Sequence, residues 1–326
     1  MNSHARFAAH SAKALGYAFR SLDGDDAYLF EVTDGARKAA FPVGYATPYA
    51  LNNARAYSLA RDKSFAQRVL DQAGLATIPS QLFFTNDRQA AYRAPGRERA
   101  DALAWAKNAP FPVFCKPNQG SKGEYAEIVA SADALTRYLD RVSAHYDVIL
   151  VQPVLRGDEY RVIVLNGAPL LSYKKAQPVL SGDGRSSLRE LLEAARVNWK
   201  GAALQTPLED LRARDVTGAA VSLGDVVATA AKVTLEGRAN RAAGGDAEAI
   251  FTEIPKPLAK IAVEAAKALG LNFAGVDLFD LSPNRDGSNL VVIEVNANPA
   301  LETLEAQGRF DLIEKIWAAN FEAAFA

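Results

Sequence analysis

The sequence predicts a mixed α+β fold with more than one lobe. Apolar runs of strand length recur along its 326 residues and alternate with amphipathic helices that end at cap or turn residues. The clearest strand–turn–strand patterns lie at residues 110–130 and 275–301. With 49% apolar residues, a chain of this length can bury two or three separate cores.

Composition and charge argue against several functional classes. The formal net charge of -1 gives no overall footprint for nucleic acid or for a membrane surface. No apolar run reaches the length of a membrane span. The single cysteine, Cys115, rules out an intrachain disulfide and is typical of a reducing compartment, so we expect a cytoplasmic protein. The three histidines lie near no Cys, Asp or Glu cluster with ligand spacing, which argues against a zinc site.

Residues 275–301, GVDLFDLSPNRDGSNLVVIEVNANPAL, predict a β-hairpin with polar side chains on one face. Two apolar runs flank a turn that is rich in Ser, Pro, Asn, Asp and Gly. Glu294 and Asn296 are two residues apart and therefore face the same side of a strand. A turn of two or four residues puts Asp277 on that face as well, and folding about residues 285–286 places Asp277 directly across from Glu294.

This polar face has two interpretations. Two carboxylates roughly 5 Å apart across a ladder repel each other and lose hydration, and a divalent cation resolves that conflict. Two carboxylates and an amide offer only oxygen, which suits magnesium, an ion that commonly bridges carboxylates and nucleotide phosphates. The alternative is an ordinary hairpin whose polar face lies in solvent, and these three residues alone do not decide between the two.

The second strand–turn–strand pattern, PFPVFCKPNQGSKGEYAEIV, contains a small-residue loop. A strand from Pro112 to Cys115 leads to Lys116, and the loop at residues 118–123 precedes a second strand. Such a loop can fold its backbone N–H groups over phosphates while the lysine supplies a point charge. It is not a Walker P-loop, because no GK[ST] opens a helix. A glycine-containing hairpin without a ligand is the alternative interpretation.

Together these motifs resemble those of the ATP-grasp superfamily. The pairing of GVDLF with IEVNANPAL resembles the metal-binding end of that fold, and Lys-Pro followed by a glycine loop resembles its phosphate-binding segment. A Gly-Asp-Gly turn at residues 182–184 precedes a helix with a capping box at Ser187. This combination is similar to cyanophycin synthetases and to the ATP-grasp half of bifunctional glutathione synthetases. The likeness spans about Ala54 to Leu301.

The resemblance implies an ATP-grasp fold, in which two α+β subdomains grip ATP, preceded here by a small N-terminal α/β lobe. We expect this lobe at residues 1–58, the small ATP-grasp subdomain with the glycine-rich loop at 59–154, and the large subdomain with the metal site at 155–326. The first lobe contains no Gly-x-Gly-x-x-Gly and gives no indication of dinucleotide binding by itself.

The resemblance also implies roles for individual residues. The expected ligands of magnesium, as two ions or with Mn²⁺ in its place, are Asp277, Glu294 and Asn296. The expected catalytic residues, which neutralise the reacting groups or stabilise an oxyanion, are Lys175, Arg161 and Arg238. The residues expected to bind ATP are Lys63, Lys116, Gly120, Ser121, Lys122, Gly123, Gln152, Pro153, Val154, Glu159, Lys174 and Asn240.

Three positions depart from the pattern of the superfamily. Many relatives carry an acid where Gln152 stands, although an amide can still hydrogen-bond the edge of adenine. Glu124 and Tyr125 replace the small or basic residues that are usual in the loop. The contacts of the loop therefore stay open at this point.

The reaction implied by the resemblance is ATP-dependent joining of a carboxylate to an amine through an acyl phosphate, with release of ADP and phosphate. By analogy the partners are small molecules, an amino acid or a short peptide, and a homodimer is compatible with the superfamily. The alternatives are a phosphotransferase that uses the same nucleotide site and a non-catalytic nucleotide-binding protein. Neither the carboxylate nor the amine substrate follows from the sequence.

Overall fold

The computed structural model describes residues 1–44, 46–121, 123–199, 206–237 and 245–326. Within these ranges the helices are α1 (Ser3–Ala14), α2 (Ala54–Arg61), α3 (Lys63–Gln72), α4 (Arg99–Ala106), α5 (Ala132–Val142), α6 (Leu188–Arg196), α7 (Lys256–Leu269), α8 (Glu302–Ala306) and α9 (Phe310–Phe325). The strands are β1 (Ala18–Ser21), β2 (Leu29–Thr33), β3 (Lys38–Pro42), β4 (Gln81–Phe84), β5 (Val113–Pro117), β6 (Glu127–Val129), β7 (Val148–Pro153), β8 (Asp158–Leu165), β9 (Ala168–Ala176), β10 (Val179–Ser181), β11 (Ala213–Asp215), β12 (Lys232–Leu235), β13 (Asp246–Ala247), β14 (Phe273–Asp280) and β15 (Leu290–Asn296).

The described strands form four sheets. The largest has the order β13-β9-β8-β14-β15 and contains the predicted C-terminal hairpin. A second sheet, β4-β7-β5-β6, contains the strands that flank the predicted phosphate loop. Two three-stranded sheets, β1-β2-β3 and β10-β12-β11, lie in the N-terminal lobe and in the segment after β9. Neighbouring strands within all four sheets run antiparallel, so the predicted α+β class is confirmed.

The helix boundaries follow the cap residues in the sequence. Asp62 caps α3, because its side chain accepts a hydrogen bond from the backbone N–H of Phe65 at 3.0 Å. Ser187 and Glu190 form the predicted capping box at the start of α6. Gly270 ends α7 with a φ of +74°, a conformation that glycine adopts without strain. The predicted capping box is therefore confirmed.

Strand β8 lies in the middle of the largest sheet, and both of its faces are covered. All four residues from Val162 to Leu165 are buried. Val162 and Val164 pack in one core with α7, while Ile163 and Leu165 pack in another core with the N-terminal lobe. Side chains therefore alternate between two buried faces in this half of the strand, because helices and a second lobe cover both of them.

The core of the N-terminal lobe includes the C-terminal helix of the chain. Phe30 and Phe41 of the lobe lie close to Trp317 of α9, with ring centroids 6.2 Å from that side chain in each case. Their cluster also holds Phe273 at the start of β14. By packing, α9 thus belongs with the first lobe, whereas the predicted division assigned it by chain order to the third segment. The three-part division itself stays a prediction.

Asn52 ties this lobe to the C-terminal hairpin. Its buried side chain donates to the carbonyl oxygens of Phe273 and Ala297, at 2.7 and 3.0 Å. Its Oδ1 accepts from the backbone N–H groups of Asn272 and Phe273, both at 3.0 Å. One asparagine therefore fixes both the start of β14 and the segment that follows β15.

None of the helices in the described part of the chain combines the length and the apolar character that crossing a membrane requires.

Candidate active site

The β14–β15 hairpin places Asp277 opposite Glu294, as predicted. Near the turn, Asp280 pairs with Leu290 and Leu278 pairs with Val292. If this register continued along the hairpin, Ile293 would lie opposite Asp277. The register instead shifts by one residue between Asp277 and Leu278. The predicted pair is therefore right, but the uninterrupted register from which it was derived is wrong. A β-bulge brings the two carboxylates together.

Asp277 is held by two cationic side chains from neighbouring strands. Arg161 on β8 pairs with Asp277 in register, and its Nε and Nη2 each donate to one carboxylate oxygen at 2.6 Å. Lys175 on β9 donates to Oδ2 of Asp277 at 2.9 Å and to Oε1 of Glu159 at 2.5 Å. The side chain of Asp277 is only 1% exposed, so these bonds balance a charge that water does not reach.

We call Glu294, Asp277, Arg161, Lys175 and Glu159 the ionic row. Burial by itself lowers the pKa of Lys175, but Asp277 and Glu159 outweigh it and raise that pKa above its usual value. Burial by itself also lowers the pKa of Arg161, but the carboxylate of Asp277 raises that pKa well above its usual value. Both cations therefore stay charged inside the sheet.

Glu294 is the member of the ionic row that faces the phosphate loop. Its Oε1 accepts from Nδ2 of Asn296 at 3.1 Å, and its Oε2 lies 3.8 Å from Nζ of Lys63. Burial raises the pKa of Glu294, but four surrounding cations lower it by more and hold it below its usual range. These cations are Lys63, Lys116, Lys175 and Arg161. Glu294 is therefore an ionised carboxylate in a cationic environment.

Lys63 connects Glu294 to the phosphate loop. Its Nζ donates to the carbonyl oxygen of Gly120 at 2.8 Å, and its backbone N–H donates to the carbonyl of Asn118 at 3.2 Å. Oδ1 of Asn118 accepts from the backbone N–H of Ser64 at 2.9 Å. The first turn of α3 thus fixes the start of the loop beside Glu294 of the hairpin.

A cleft lies between α3, the strands of the second sheet and β15. Its polar lining includes Lys63, Lys116, Gln152 and Glu294, and apolar residues such as those at 78, 150 and 292 form the rest of its wall. Nε2 of Gln152 donates to Oγ of Ser80 at 2.6 Å, which fixes the orientation of the amide. Apolar walls with a few convergent charges are typical of small-molecule sites.

Lys116 is the buried cation of this cleft. It is the fourth residue of β5 and pairs with Leu150 of β7, so its stem lies within the sheet. Burial lowers the pKa of Lys116 to about 8, an effect that Glu294 partly opposes and Lys63 reinforces. Close to neutral pH, the charge of Lys116 is therefore sensitive to any anion that enters the cleft.

The remaining predicted residues are distributed around these groups. Lys174 faces the opposite side of β9 from Lys175 and pairs with Asp158 at 2.8 Å, away from the ionic row. Pro153 is exposed and Val154 is half-buried, at the point where β7 ends. Gly120, Ser121 and Gly123 lie in the predicted phosphate loop. The other three predicted residues, Lys122, Arg238 and Asn240, lie outside the described ranges. All of these roles stay predictions.

The two departures in the loop, Glu124 and Tyr125, anchor its C-terminal end. The Glu124 carboxylate accepts a hydrogen bond from the hydroxyl of Tyr146. Tyr125 is buried and stacks on His145, and its carbonyl accepts from the hydroxyl of Tyr138 at 2.8 Å. Sequence reasoning missed this function, because the tyrosine partners lie on and after α5 and no local pattern links them to the loop.

Comparison with known proteins identifies part of the chain. Residues 179–319 match the sequence model of the RimK-like ATP-grasp domain.

Residues 179–319 are therefore similar to a RimK-like ATP-grasp domain.

This match confirms the predicted superfamily resemblance and the ATP-grasp fold. The matched segment includes Asp277, Glu294 and Asn296. Five charged residues of the site precede it, namely Lys63, Lys116, Glu159, Arg161 and Lys175. The site therefore draws five of its seven described charged groups from outside the matched segment.

The chain is also similar to two relatives and to one solved structure. The glutathione biosynthesis bifunctional protein GshAB of Desulfotalea psychrophila is 24% identical over 301 residues, which cover 89% of this chain and 37% of that protein. The protein of the same name from Streptococcus mutans is 27% identical over 206 residues, or 60% of this chain and 27% of that protein. A crystal structure of a bifunctional glutathione synthetase from Pasteurella multocida covers 96% of this chain and 43% of that chain, with 19% identity and a TM-score of 0.49. The chain thus spans less than half of the length of these proteins.

The adjacent residues Lys175 and Lys174 provide a matched test of the ionic row. Lys175→Met should lower the free energy of unfolding by about 2 kcal/mol, because Glu159 and Asp277 lose a buried partner. Lys174→Met removes a more exposed ion pair, so it should change stability by less than about 1 kcal/mol. Urea unfolding of the two variants measures the difference, and equal destabilisation would contradict the assignment of Lys175 to a buried network.

Proposed function

We propose that this protein is an ATP-dependent ligase that joins the carboxylate of an amino acid or short peptide to an amine. One observation carries the proposal: the Asp277–Glu294 pair lies beside Arg161 and Lys175 on one side and beside the lysine-lined cleft on the other. This arrangement provides anionic oxygens for a cation next to fixed cations for phosphates. The names of the relatives, which refer to glutathione biosynthesis, support an amino acid or peptide substrate.

The residues at the hairpin fit magnesium. Asp277 and Glu294 face each other across the ladder, and Asn296 is adjacent, so the available ligands are all oxygen. Only two of these ligands are carboxylates, and the amide oxygen of Asn296 would be the third. Groups of three or more His, Cys, Asp or Glu side chains that could hold a metal do not occur in the ranges that the structure describes. Bound there, magnesium would neutralise charge on the β and γ phosphates.

The first step is attack of the substrate carboxylate on the γ-phosphorus of ATP. An oxygen–phosphorus bond forms in line with the bond that breaks, ADP leaves, and an acyl phosphate results. Lys63 and Lys116 neutralise the phosphates from the cleft side. Arg161 is fixed by its two bonds to Asp277, so its positive charge is already in place when the anionic substrate arrives.

The second step forms the amide. The amine nitrogen attacks the acyl carbon, the carbon–oxygen bond to the phosphoryl group breaks, and the surplus proton of the nitrogen leaves with the phosphate. The oxyanion of the tetrahedral intermediate needs a cation, and Arg238 is the predicted residue for that role. Water must be excluded during this step, because it would otherwise hydrolyse the acyl phosphate.

The products distinguish a ligase from its alternatives. The protein is incubated with ATP, magnesium and pairs of compounds from a panel of amino acids and dipeptides. At least one pair should release ADP and phosphate in equal amounts. Mass spectrometry should then identify an amide that joins the two compounds. ADP release with a stable phosphorylated product and no free phosphate would instead show a phosphotransferase. Absence of turnover in every pair would contradict the ligase proposal.

Glu294→Gln removes one charge from the proposed metal site without changing its size. We expect turnover to fall about 100-fold or more, because the charge that holds the cation is lost, while the thermal unfolding midpoint changes little. The matched control is Glu253→Gln, which alters an exposed glutamate outside the site and should leave turnover unchanged. Unaltered turnover in Glu294→Gln would remove the metal assignment.

The lowered pKa of Lys116 predicts proton uptake when a nucleotide binds. At a pH just above 8 a large share of free Lys116 is neutral, and an anionic diphosphate nearby raises its pKa, so binding of ADP takes up a proton. Titration calorimetry with magnesium-free ADP in two buffers of different ionisation heat measures this uptake. Lys116→Met should abolish it. Equal proton uptake in the wild type and the variant would contradict a phosphate contact by Lys116.

A further inference from the structure

The two carboxylates of the proposed magnesium site already face nitrogen donors of the chain itself. Oδ1 of Asp277 accepts from Nε of Arg161, and Oδ2 accepts from Nη2 of Arg161 and from Nζ of Lys175. Oε1 of Glu294 accepts from Nδ2 of Asn296, and Oε2 lies 3.8 Å from Nζ of Lys63. Every oxygen of both carboxylates is thus next to a nitrogen that carries hydrogen.

The summed charge of the described groups at this site is positive. The ionic row contributes three carboxylates and two cations, and Lys63 and Lys116 of the cleft add two more cations. With all four cations protonated, one positive charge is left over. This excess repels a free divalent cation and attracts a polyphosphate. The charges therefore favour a nucleotide over a metal ion as the first ligand.

Lys175 and Lys63 differ from Arg161 in their hydrogen bonds. Nζ of Lys175 also donates to Oε1 of Glu159 at 2.5 Å, and Nζ of Lys63 also donates to the carbonyl oxygen of Gly120 at 2.8 Å. Both described bonds of Arg161 end on Asp277. An ammonium group has three donors on a flexible stem. Either lysine can therefore move away from its hairpin carboxylate and still keep a partner.

We propose that Lys175 and Lys63 are exchangeable counter-cations, which keep free metal ions away from Asp277 and Glu294 until a nucleotide polyphosphate binds. This inference rests on the proposed ligase function and deepens it, because it names the ligand that the site accepts first. The polyphosphate adds negative charge, and both ammonium groups shift toward it. Asp277 and Glu294 then have oxygen lone pairs available for the metal. No covalent bond changes in this step.

The proposal makes an expectation that a purely structural ion pair does not make. Loss of a structural pair only destabilises the protein, whereas loss of a counter-cation should also create affinity for a free metal ion. A ligand that binds the folded state raises its stability. Mn²⁺ should therefore restore part of the stability that Lys175→Met loses, and it should do so without any nucleotide.

The test measures Mn²⁺ binding in the absence of nucleotide, from the electron paramagnetic resonance signal of the free ion. Mn²⁺ should bind Lys175→Met at least about tenfold more tightly than the wild type, because the positive charge beside Asp277 is gone. It should also raise the thermal unfolding midpoint of this variant more than that of the wild type. The matched control is Lys174→Met, since Lys174 pairs with Asp158 away from the ionic row. This control should behave like the wild type in both measurements.

A second variant and a nucleotide arm complete the experiment. Lys63→Met removes the cation beside Glu294 and should also increase the affinity for free Mn²⁺, so it decides the matter if Lys175→Met does not fold. Metal-free ADP, titrated calorimetrically in the presence of EDTA, should bind the wild type. Because ADP itself binds Mn²⁺, Glu294→Gln is included. The ADP complex of this variant should hold Mn²⁺ more weakly than that of the wild type.

The remaining outcomes separate failure of the inference from failure of the proposed function. Equal affinity of the wild type and the folded lysine variants for free Mn²⁺, including no binding in any of them, overturns the counter-cation role. If the wild type nevertheless forms an amide in the panel above, the ligase function stands without it. If the ADP complexes of the wild type and Glu294→Gln hold Mn²⁺ equally well, the proposed metal site fails and the inference fails with it.

Discussion

The buried carboxylate of Asp277 is the constraint on which the site depends. A charge with 1% exposure needs compensation, and Arg161 and Lys175 supply it through three hydrogen bonds of 2.6 to 2.9 Å. Because these partners come from β8 and β9, the charge balance links three strands of one sheet. The same bonds orient two cations toward the place where the proposed reaction gathers negative charge. One network thus compensates a buried acid and, in the proposed reaction, would hold two cations ready for an anionic ligand.

The rest of the fold holds this row in position from both sides of the sheet. The core with α7 lies against one face of β8 and β14, and the core shared by the N-terminal lobe and α9 lies against the other. Asn52 then binds both the start of β14 and the segment after β15. The first turn of α3 connects the row to the phosphate loop through Lys63. Rigid elements therefore carry most of the described charged groups, which favours a preorganised site.

Local patterns in the sequence were sufficient for the caps, the hairpin and the opposition of Asp277 and Glu294, because each depends on residues close in the chain. The β-bulge was not predictable, since Ile293 is an ordinary strand residue and nothing in its sequence neighbourhood indicates an additional residue in the ladder. The packing of Trp317 on Phe30 joins distant parts of the chain and has no local signal. The compensation of Asp277 by Arg161 and Lys175 likewise requires the order of the strands, which the motifs do not contain.

A crystal structure with manganese and a non-hydrolysable ATP analogue would show whether the hairpin carboxylates bind the metal. Anomalous scattering locates the metal independently of the protein density. We expect manganese bound by carboxylate oxygens of Asp277 and Glu294, with the phosphates between the metal and the lysines of the cleft. A nucleotide in the cleft with manganese elsewhere, and with both carboxylates free of metal, would contradict it.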